Sequence, residues 1–176
     1  PPISVDDRCF YTTSNDTVIA FDRESRAIKW FYHASGATIQ VFSSNTFALS
    51  DSVFCFTIRD NGEGYGQIIA LDKITGDFLW QHTFAGEFVY TPVIANGVVY
   101  VVSLPEKSIY GFDLNSGEQL FYESGSYKYQ PVVVDHKLFV SSSYSVWVFE
   151  NAETAIHESA AGSPGKFNLD QNYPNP

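Results

Sequence analysis

The sequence predicts an all-β fold assembled from about four similar antiparallel repeats, and three observations lead to this prediction. Residues 70–80 follow the pattern A-x-D-x-x-T-G-x-x-x-W, and degraded copies occupy residues 20–30 and 111–121. The residues before each motif aspartate alternate and are rich in valine, isoleucine, phenylalanine and tyrosine, as expected for half-buried strands. The acidic motif positions, the last of which is Glu150, are separated by 50, 41 and 37 residues, which suits four short strands per repeat.

The motif itself predicts a strand, a tight turn and a second antiparallel strand. Asp72 ends the first strand, because its short carboxylate accepts hydrogen bonds from backbone N–H groups just ahead of it. Thr75 and Gly76 then supply a polar residue and one that tolerates positive φ. Trp80 closes the second strand, and the small Ala70 leaves space for it on the first. The equivalent residues in the other copies are Ala20, Asp22 and Trp30 upstream, and Gly111, Asp113, Gly117 and Phe121 downstream.

This pattern resembles the tryptophan-docking motif of the quinoprotein-like β-propellers, whose repeats were first named for pyrroloquinoline quinone. The resemblance implies four-stranded antiparallel blades, of which about four are present, in a ring that usually has seven or eight. A small closed ring and a pairing of two half-rings are the alternatives. The predicted blades are residues 1–37, 38–87, 88–126 and 127–158, which together form a propeller segment over 1–158.

The strands can be placed within the blades. Blade one has predicted strands at 3–5, 8–13 and 17–21. Blade two contains a hairpin extended by the polar residues 59–66. In blade three the dipeptide Asn96-Gly97 is a strong signal for a two-residue hairpin turn.

Blade four repeats the arrangement of blade three with more divergence. It is predicted to turn at Asp135-His136 and to continue as strands over 138–143 and 145–149. Its copy of the motif begins at Val148 but lacks the turn glycine and the closing aromatic residue.

The composition changes after Glu158, where the small residues of 159–166 predict a flexible linker. Residues 167–176 resemble the start of the C-terminal sorting domain of type IX secretion cargo, which reads F-x-L-x-Q-N-Y-P-N-P. The resemblance implies export, an extracellular or cell-surface location, and recognition by the secretion machinery. A proline-rich disordered tail is the alternative. The matching residues are Phe167, Leu169, Gln171, Asn172, Tyr173, Pro174, Asn175 and Pro176.

Charge and hydropathy disfavour two classes of partner. The formal net charge of −10 repels a phosphate backbone, so nucleic acid is not an expected partner. No apolar run approaches the roughly 20 residues of a membrane-spanning helix, so no membrane span is expected. The sequence contains no methionine, which indicates either a removed leader or a piece of a longer chain.

An enzyme is the obvious competing hypothesis, because quinoprotein dehydrogenases share these repeats and oxidise alcohols or sugars with a quinone and calcium. The alcohol dehydrogenases among them pack two adjacent cysteines against the quinone, whereas Cys9 and Cys55 lie 46 positions apart. Their strand positions place these two side chains on opposite faces, which favours two buried thiols over a disulfide. No catalytic, cofactor-binding or metal-binding residue is therefore predicted, and no cofactor.

Other candidate ligands for metals are explained by ordinary structural roles. Residues 60–63 lack the spacing of a calcium loop and are expected to form a solvated hairpin tip. The histidines are scattered without the pairing of a zinc site. They are His33, His82, His136 and His157.

The sequence therefore predicts an exported, non-catalytic propeller segment that binds an unknown protein, peptide or glycan or serves as a scaffold. The tyrosines and the serine-rich segment 141–144 could line a glycan or peptide surface, but the pattern favours the alternative, the ordinary rim of a β-rich fold. Two alternatives stay open: part of a quinone- and calcium-dependent dehydrogenase, and a scaffold in outer-membrane assembly.

Overall fold

A computed structural model describes residues 3–14, 16–40, 47–60, 62–149 and 167–168. Strands and turns make up this described part, in which the strands form four antiparallel sheets. The predicted all-β fold of four-stranded antiparallel blades is confirmed, and the sheets do not close on one another within these ranges. None of the described residues belongs to a helix with the length and hydropathy needed to cross a bilayer.

Blades one and two differ in their first strands. Blade one has the order β1-β2-β3-β4, whereas in blade two both β5 and β6 pair with β7, which makes a five-stranded sheet. Strand β5 pairs with the end of β7, and β6 pairs with the beginning of β7. Two short strands therefore share the place that a single first strand takes in blade one. The strands are β1 (Ile3–Val5), β2 (Cys9–Ser14), β3 (Thr17–Asp22) and β4 (Ile28–His33), then β5 (Ala37–Ile39), β6 (Phe47–Leu49), β7 (Val53–Asp60), β8 (Gly66–Asp72) and β9 (Phe78–Phe84).

Blades three and four each have four strands in sequence order. The outer position of blade four is taken by β17, the first two residues of the predicted sorting segment, which pairs with β16. Residues 169–176, which hold the rest of that segment, lie outside the described ranges. The strands are β10 (Val93–Ala95), β11 (Val98–Ser103), β12 (Ser108–Asp113) and β13 (Gln119–Ser124), then β14 (Val132–Val134), β15 (Lys137–Ser141), β16 (Val146–Phe149) and β17 (Phe167–Asn168).

The hairpin turns explain how each blade folds back on itself. Asn96 and Gly97 have φ values of 52° and 76°, and Asp135 and His136 have 48° and 61°. Two consecutive residues with positive φ form the turn whose twist matches that of the paired strands. Both predicted two-residue turns are therefore present.

Strand β15 is shorter than the sequence pattern predicts. The predicted strand over 138–143 was wrong at its end, since β15 stops at Ser141. The reason is local, because the Ser142 hydroxyl accepts hydrogen bonds from the N–H groups of Tyr144 and Ser145, both at 3.2 Å. A serine that satisfies backbone groups in this way favours a turn over a continued strand.

Three apolar cores lie between successive blades. Strand β11 is buried along its whole length because blades two and four cover its two faces, whereas the outer strand β9 is mostly exposed. The buried layers are separate clusters that share no residue. Each blade is thus stabilised by its neighbours, as expected for a repeat fold.

Candidate functional site

The motif turns are the first feature shared by the blades. In β8–β9, one carboxylate oxygen of Asp72 accepts hydrogen bonds from the N–H groups of Ile74 and Thr75 at 2.8 and 2.9 Å. Asp22 and Asp113 make the same pair of contacts in their own blades. These hydrogen bonds, led by the N–H of the third residue after each aspartate, lower the pKa of all three carboxyl groups.

The aromatic residue of one blade docks on the motif turn of the next. The indole N–H of Trp30 donates to the carbonyl oxygen of Lys73 at 3.0 Å, and that of Trp80 donates to Leu114 at the same distance. Both indoles are 6% exposed, so these contacts are shielded from water. The Trp30 contact joins blade one to blade two, and the Trp80 contact joins blade two to blade three.

Small motif residues make room for each indole on both sides. Within a blade, Trp30 pairs across the strands with Ala20, and Trp80 pairs with Ala70. On the next blade the indole covers the turn glycine, so that a Cβ added to Gly76 would lie 2.7 Å from Trp30. The motif alanine and the motif glycine therefore belong to the same contact.

The glycine position also explains a departure of the first copy from the motif. Arg26 occupies this position in blade one with φ of 59°, the same left-handed conformation as Gly76 and Gly117. Gly76 and Gly117 each lie under an indole from the preceding blade. The left-handed turn itself therefore accepts a side chain, and the docked indole adds the demand for glycine in blades two and three.

Blade three makes a modified version of the contact. Phe121 pairs with Gly111, and its ring lies 5.5 Å from the ring of Phe149 in blade four. A Cβ added to Gly111 would lie 3.1 Å from Phe121. Because phenylalanine has no N–H donor, this contact between blades is apolar only.

A polar bridge that the sequence pattern did not indicate also joins blades one and two. Asp6 lies in the turn before β2, and its carboxylate contacts the ammonium group of Lys73 at 3.3 Å and the hydroxyl of Tyr11 at 3.0 Å. The other carboxylate oxygen accepts the N–H groups of Arg8 and Cys9. The only sequence signal was an aspartate three residues before a strand, which is a common turn residue.

The bridge lowers the pKa of Asp6. Burial alone would raise this pKa, but the hydrogen bonds from Arg8, Cys9, Tyr11 and Lys73 outweigh burial and bring it to about 2. The charged form is therefore stabilised by folding.

We expect this ion pair to contribute stability that depends on pH. Because folding lowers the pKa of Asp6, its contribution is complete above pH 4 and is lost as the pH falls towards 2. Urea unfolding should show Asp6→Asn less stable than the parent by about 1 kcal/mol at pH 6, after allowance for solvent screening, and equal to it near pH 2. The exposed neighbour Asp7→Asn is the control. A difference for Asp6→Asn that persisted unchanged at pH 2 would contradict the assignment.

A buried glutamine holds the connector between blades two and three, residues 85–92. Gln40 is 5% exposed, its side-chain amide donates to the carbonyl oxygen of Glu87, and its side-chain oxygen accepts the N–H of Val89 at 3.0 Å. Thr57 donates to the carbonyl oxygen of Val89 at 3.3 Å. The sequence carries no signal for this role, since glutamine pairing across 49 residues leaves no local pattern.

Replacing Gln40 with leucine keeps the size of the side chain but leaves the buried N–H of Val89 and the partly buried carbonyl oxygen of Glu87 without these partners. We expect the free energy of unfolding to fall by about 2–4 kcal/mol. Gln67→Leu is the matched control, because Gln67 also loses one hydrogen bond, to Thr83, but at an exposed site. Chemical denaturation of both variants measures the difference, and equal losses would show that burial of the connector is unimportant.

The two cysteines and the histidines have structural surroundings. Cys9 and Cys55 are both buried free thiols, and they lie in different inter-blade cores. Burial raises the pKa of Cys55, which keeps it protonated. The ring of His82 lies 4.7 Å from Phe112, and burial lowers its pKa against the opposing effect of Glu106.

The hairpin of blade two has the turn expected for its tip. Asp60 accepts hydrogen bonds from the N–H groups of Gly62 and Glu63, and Arg59 forms an exposed ion pair with Glu87. Groups of histidine, cysteine, aspartate or glutamate suited to a metal ion do not occur among the residues for which positions are described.

The fold and these contacts define a repeat β-propeller whose blades are joined by docked aromatic residues. A family model described as outer membrane protein assembly factor BamB matches residues 43–164, and the chain belongs to that family. A comparison with curated proteins gave no match.

Solved structures share the fold at low sequence identity. BamB from Moraxella catarrhalis is 20% identical with a TM-score of 0.65, over 85% of this chain and 44% of BamB. The quinohemoprotein alcohol dehydrogenase ADHIIG from Pseudomonas putida HK5 is 12% identical with a TM-score of 0.62, over 85% of this chain and 32% of the enzyme. The computationally designed protein Ika4 is 10% identical with a TM-score of 0.66, over 85% of this chain and 89% of the design. The chain thus spans less than half of the two natural proteins.

Proposed function

We propose that this chain is a non-catalytic propeller module that holds another polypeptide at the bacterial cell envelope. One observation carries the proposal: the motif residues of successive blades are used to join the blades. Asp72 satisfies the N–H groups of its own turn, and Trp80 docks on the next blade. The repeated residues therefore build a rigid scaffold, and binding specificity belongs to the loops and clefts that differ between blades.

Membership of the BamB family supports an envelope role. The family description names an outer membrane protein assembly factor, and a part in handling outer-membrane or exported proteins follows for this chain as a proposal. We further propose that residues 167–176 direct export by the type IX machinery, because they match the opening of that sorting domain.

The three motif aspartates give no support to the dehydrogenase alternative. A general base for alcohol oxidation needs a pKa near the working pH. The pKa values of Asp22, Asp72 and Asp113 are instead lowered, away from neutral pH, because each carboxylate accepts backbone hydrogen bonds. The likeness to the alcohol dehydrogenase is one of fold alone.

A titration distinguishes the scaffold from the enzyme. Purified protein is mixed with pyrroloquinoline quinone and Ca²⁺, then with ethanol or glucose and an electron-accepting dye. We expect no dye reduction above a blank without protein. In parallel, an unfolded outer-membrane barrel protein diluted from urea should bind and raise its fluorescence anisotropy. Quinone-dependent dye reduction would overturn the scaffold assignment.

The location is tested on the native protein. Peptide-resolved mass spectrometry of cell-surface, envelope and culture-supernatant fractions should find peptides of residues 1–158 in one of these fractions. If the proposed signal directs export, the protein recovered from the surface should be cleaved near residues 159–166. Recovery from the cytoplasm alone would contradict both the envelope role and the sorting signal.

A further inference from the structure

A cleft of ≈480 Å³ lies between blades three and four, at the end of the blades opposite the motif turns. Three segments form it: the β11–β12 turn, the connector from β13 to β14, and the β15–β16 turn. Its volume is within the range of small-ligand sites in proteins. The lining includes Lys107, Ser126, Tyr127, Lys128, Ser142 and Tyr144.

Backbone hydrogen bonds hold the three segments in place. Lys107 has φ of 52°, its N–H donates to Leu104 at 3.2 Å, and its carbonyl oxygen accepts the N–H of Gly125 at 2.8 Å. The N–H of Lys128 donates to the carbonyl oxygen of Ser141 at 3.0 Å. The cleft is therefore preformed, and both lysines project from constrained positions.

The charge of the cleft is opposite to that of the whole protein. The chain carries a formal charge of −10, yet Lys107 and Lys128 both line this one cleft. The ion pairs that are seen between described lysine or arginine residues and carboxylates involve Arg59 and Lys73. Within the described part of the chain, Lys107 and Lys128 therefore have no acidic partner, and their ammonium groups can receive an anion.

The remaining lining provides hydrogen-bond donors and aromatic surface. The hydroxyl of Ser142 accepts two backbone N–H groups, and among the described residues nothing accepts its proton. Tyr144 is 97% exposed, so its ring is free to stack on a ligand. The hydroxyl of Tyr127 is buried and lacks a hydrogen-bond partner within the described ranges. Burial, with the charge of Glu123, raises the pKa of Tyr127 to about 12, so it remains a neutral donor at pH 7.

We propose that this cleft binds an acidic peptide segment, with a carboxylate held by Lys107 and Lys128 and a neighbouring apolar side chain against Tyr144. The proposal rests on the scaffold function proposed above and names the ligand class of that scaffold. A carboxylate flanked by apolar groups suits two cations set among aromatic rings.

The test uses a fluorescein-labelled hexapeptide of alternating glutamate and phenylalanine, and a second peptide with glutamine in place of glutamate. Anisotropy titrations with the full chain should show binding of the glutamate peptide, and binding at least about tenfold weaker for the glutamine peptide. Lys107→Gln and Lys128→Gln should each weaken binding by about fivefold, and 500 mM NaCl should weaken it further. Lys29→Gln removes one cation elsewhere and should stay within about twofold of the parent.

Three outcomes would overturn the proposal. The first is equal binding of the two peptides, and the second is an equal loss of affinity for Lys29→Gln and the cleft variants. The third is displacement of the peptide by a galacturonate trimer at lower concentration. Each result points to a different ligand or site. Circular dichroism confirms that the variants are folded. If the cleft variants still bind the unfolded barrel protein with parent affinity, the cleft assignment fails while the scaffold function stands.

Discussion

Replacing Trp80 with alanine should lower the free energy of unfolding by about 3–5 kcal/mol. The indole is 6% exposed, its ring lies 5.9 Å from Phe112, and its N–H donates to Leu114 at 3.0 Å. Truncation leaves a cavity between blades two and three and an unpartnered carbonyl group. Equilibrium unfolding in urea, followed by circular dichroism, measures the loss.

Two further variants separate packing from hydrogen bonding at this position. Trp80→Phe keeps an aromatic ring but loses the donor, as blade three does naturally with Phe121, and should cost about 1–2 kcal/mol. Phe78→Ala lies on the same strand but is 51% exposed, and it should change stability by less than about 0.5 kcal/mol. If Phe78→Ala and Trp80→Ala cost the same, the indole is not a junction between blades.

Substitution of Gly76 by alanine should cost about 3–5 kcal/mol, the sum of left-handed backbone strain and overpacking. Gly76 has φ of 79°, and an added Cβ would lie 2.7 Å from the ring of Trp30. Gly97→Ala is the matched control, because φ is 76° there and nothing lies within 4 Å of the added Cβ. The control should therefore lose only about 1 kcal/mol. Thermal or urea unfolding of the two variants tests the comparison.

A double-mutant cycle identifies Trp30 as the cause of the larger effect. When Trp30 is first replaced by glycine, both the ring and the Cβ, which lie 2.7 and 2.9 Å from the added methyl group, are removed, and the cost of Gly76→Ala should fall to about 1 kcal/mol. An unchanged cost in that background would mean that backbone conformation alone demands the glycine. The cycle thus tests whether a turn in blade two is shaped by a side chain from blade one.

The contact between Trp80 and blade three shows which features could be predicted from the sequence. The spacing from Ala70 to Trp80 was enough to predict a strand, a turn and a return strand, because period-two alternation and turn residues are local properties. It was also enough to predict that a small residue stands opposite the aromatic one, and the structure pairs Ala70 with Trp80. The prediction that Trp80 closes the return strand was wrong, because β9 continues to Phe84. The partner of the indole N–H, the carbonyl oxygen of Leu114, lies 34 residues away and has no local signature.

Other contacts between distant segments could not be predicted either, because they leave no local sequence pattern. Lys73 stands at a variable position of the motif, yet its ammonium group contacts Asp6 and its carbonyl oxygen accepts the indole N–H of Trp30. Gln40 showed no pattern at all before the structure placed its amide against the connector at Val89. The lysines of the proposed cleft come from separate turns that meet only when blades three and four pack together.

The repeat, the all-β class and the turns could be predicted from the sequence, because each depends on alternation, small residues and turn chemistry within a few positions. Three features came from the packing of the blades: which blade receives each indole, how the first strand of blade two divides between β5 and β6, and where two lysines face one cleft. These features depend on pairing between residues far apart in the chain, and such pairing is settled when the blades pack against one another.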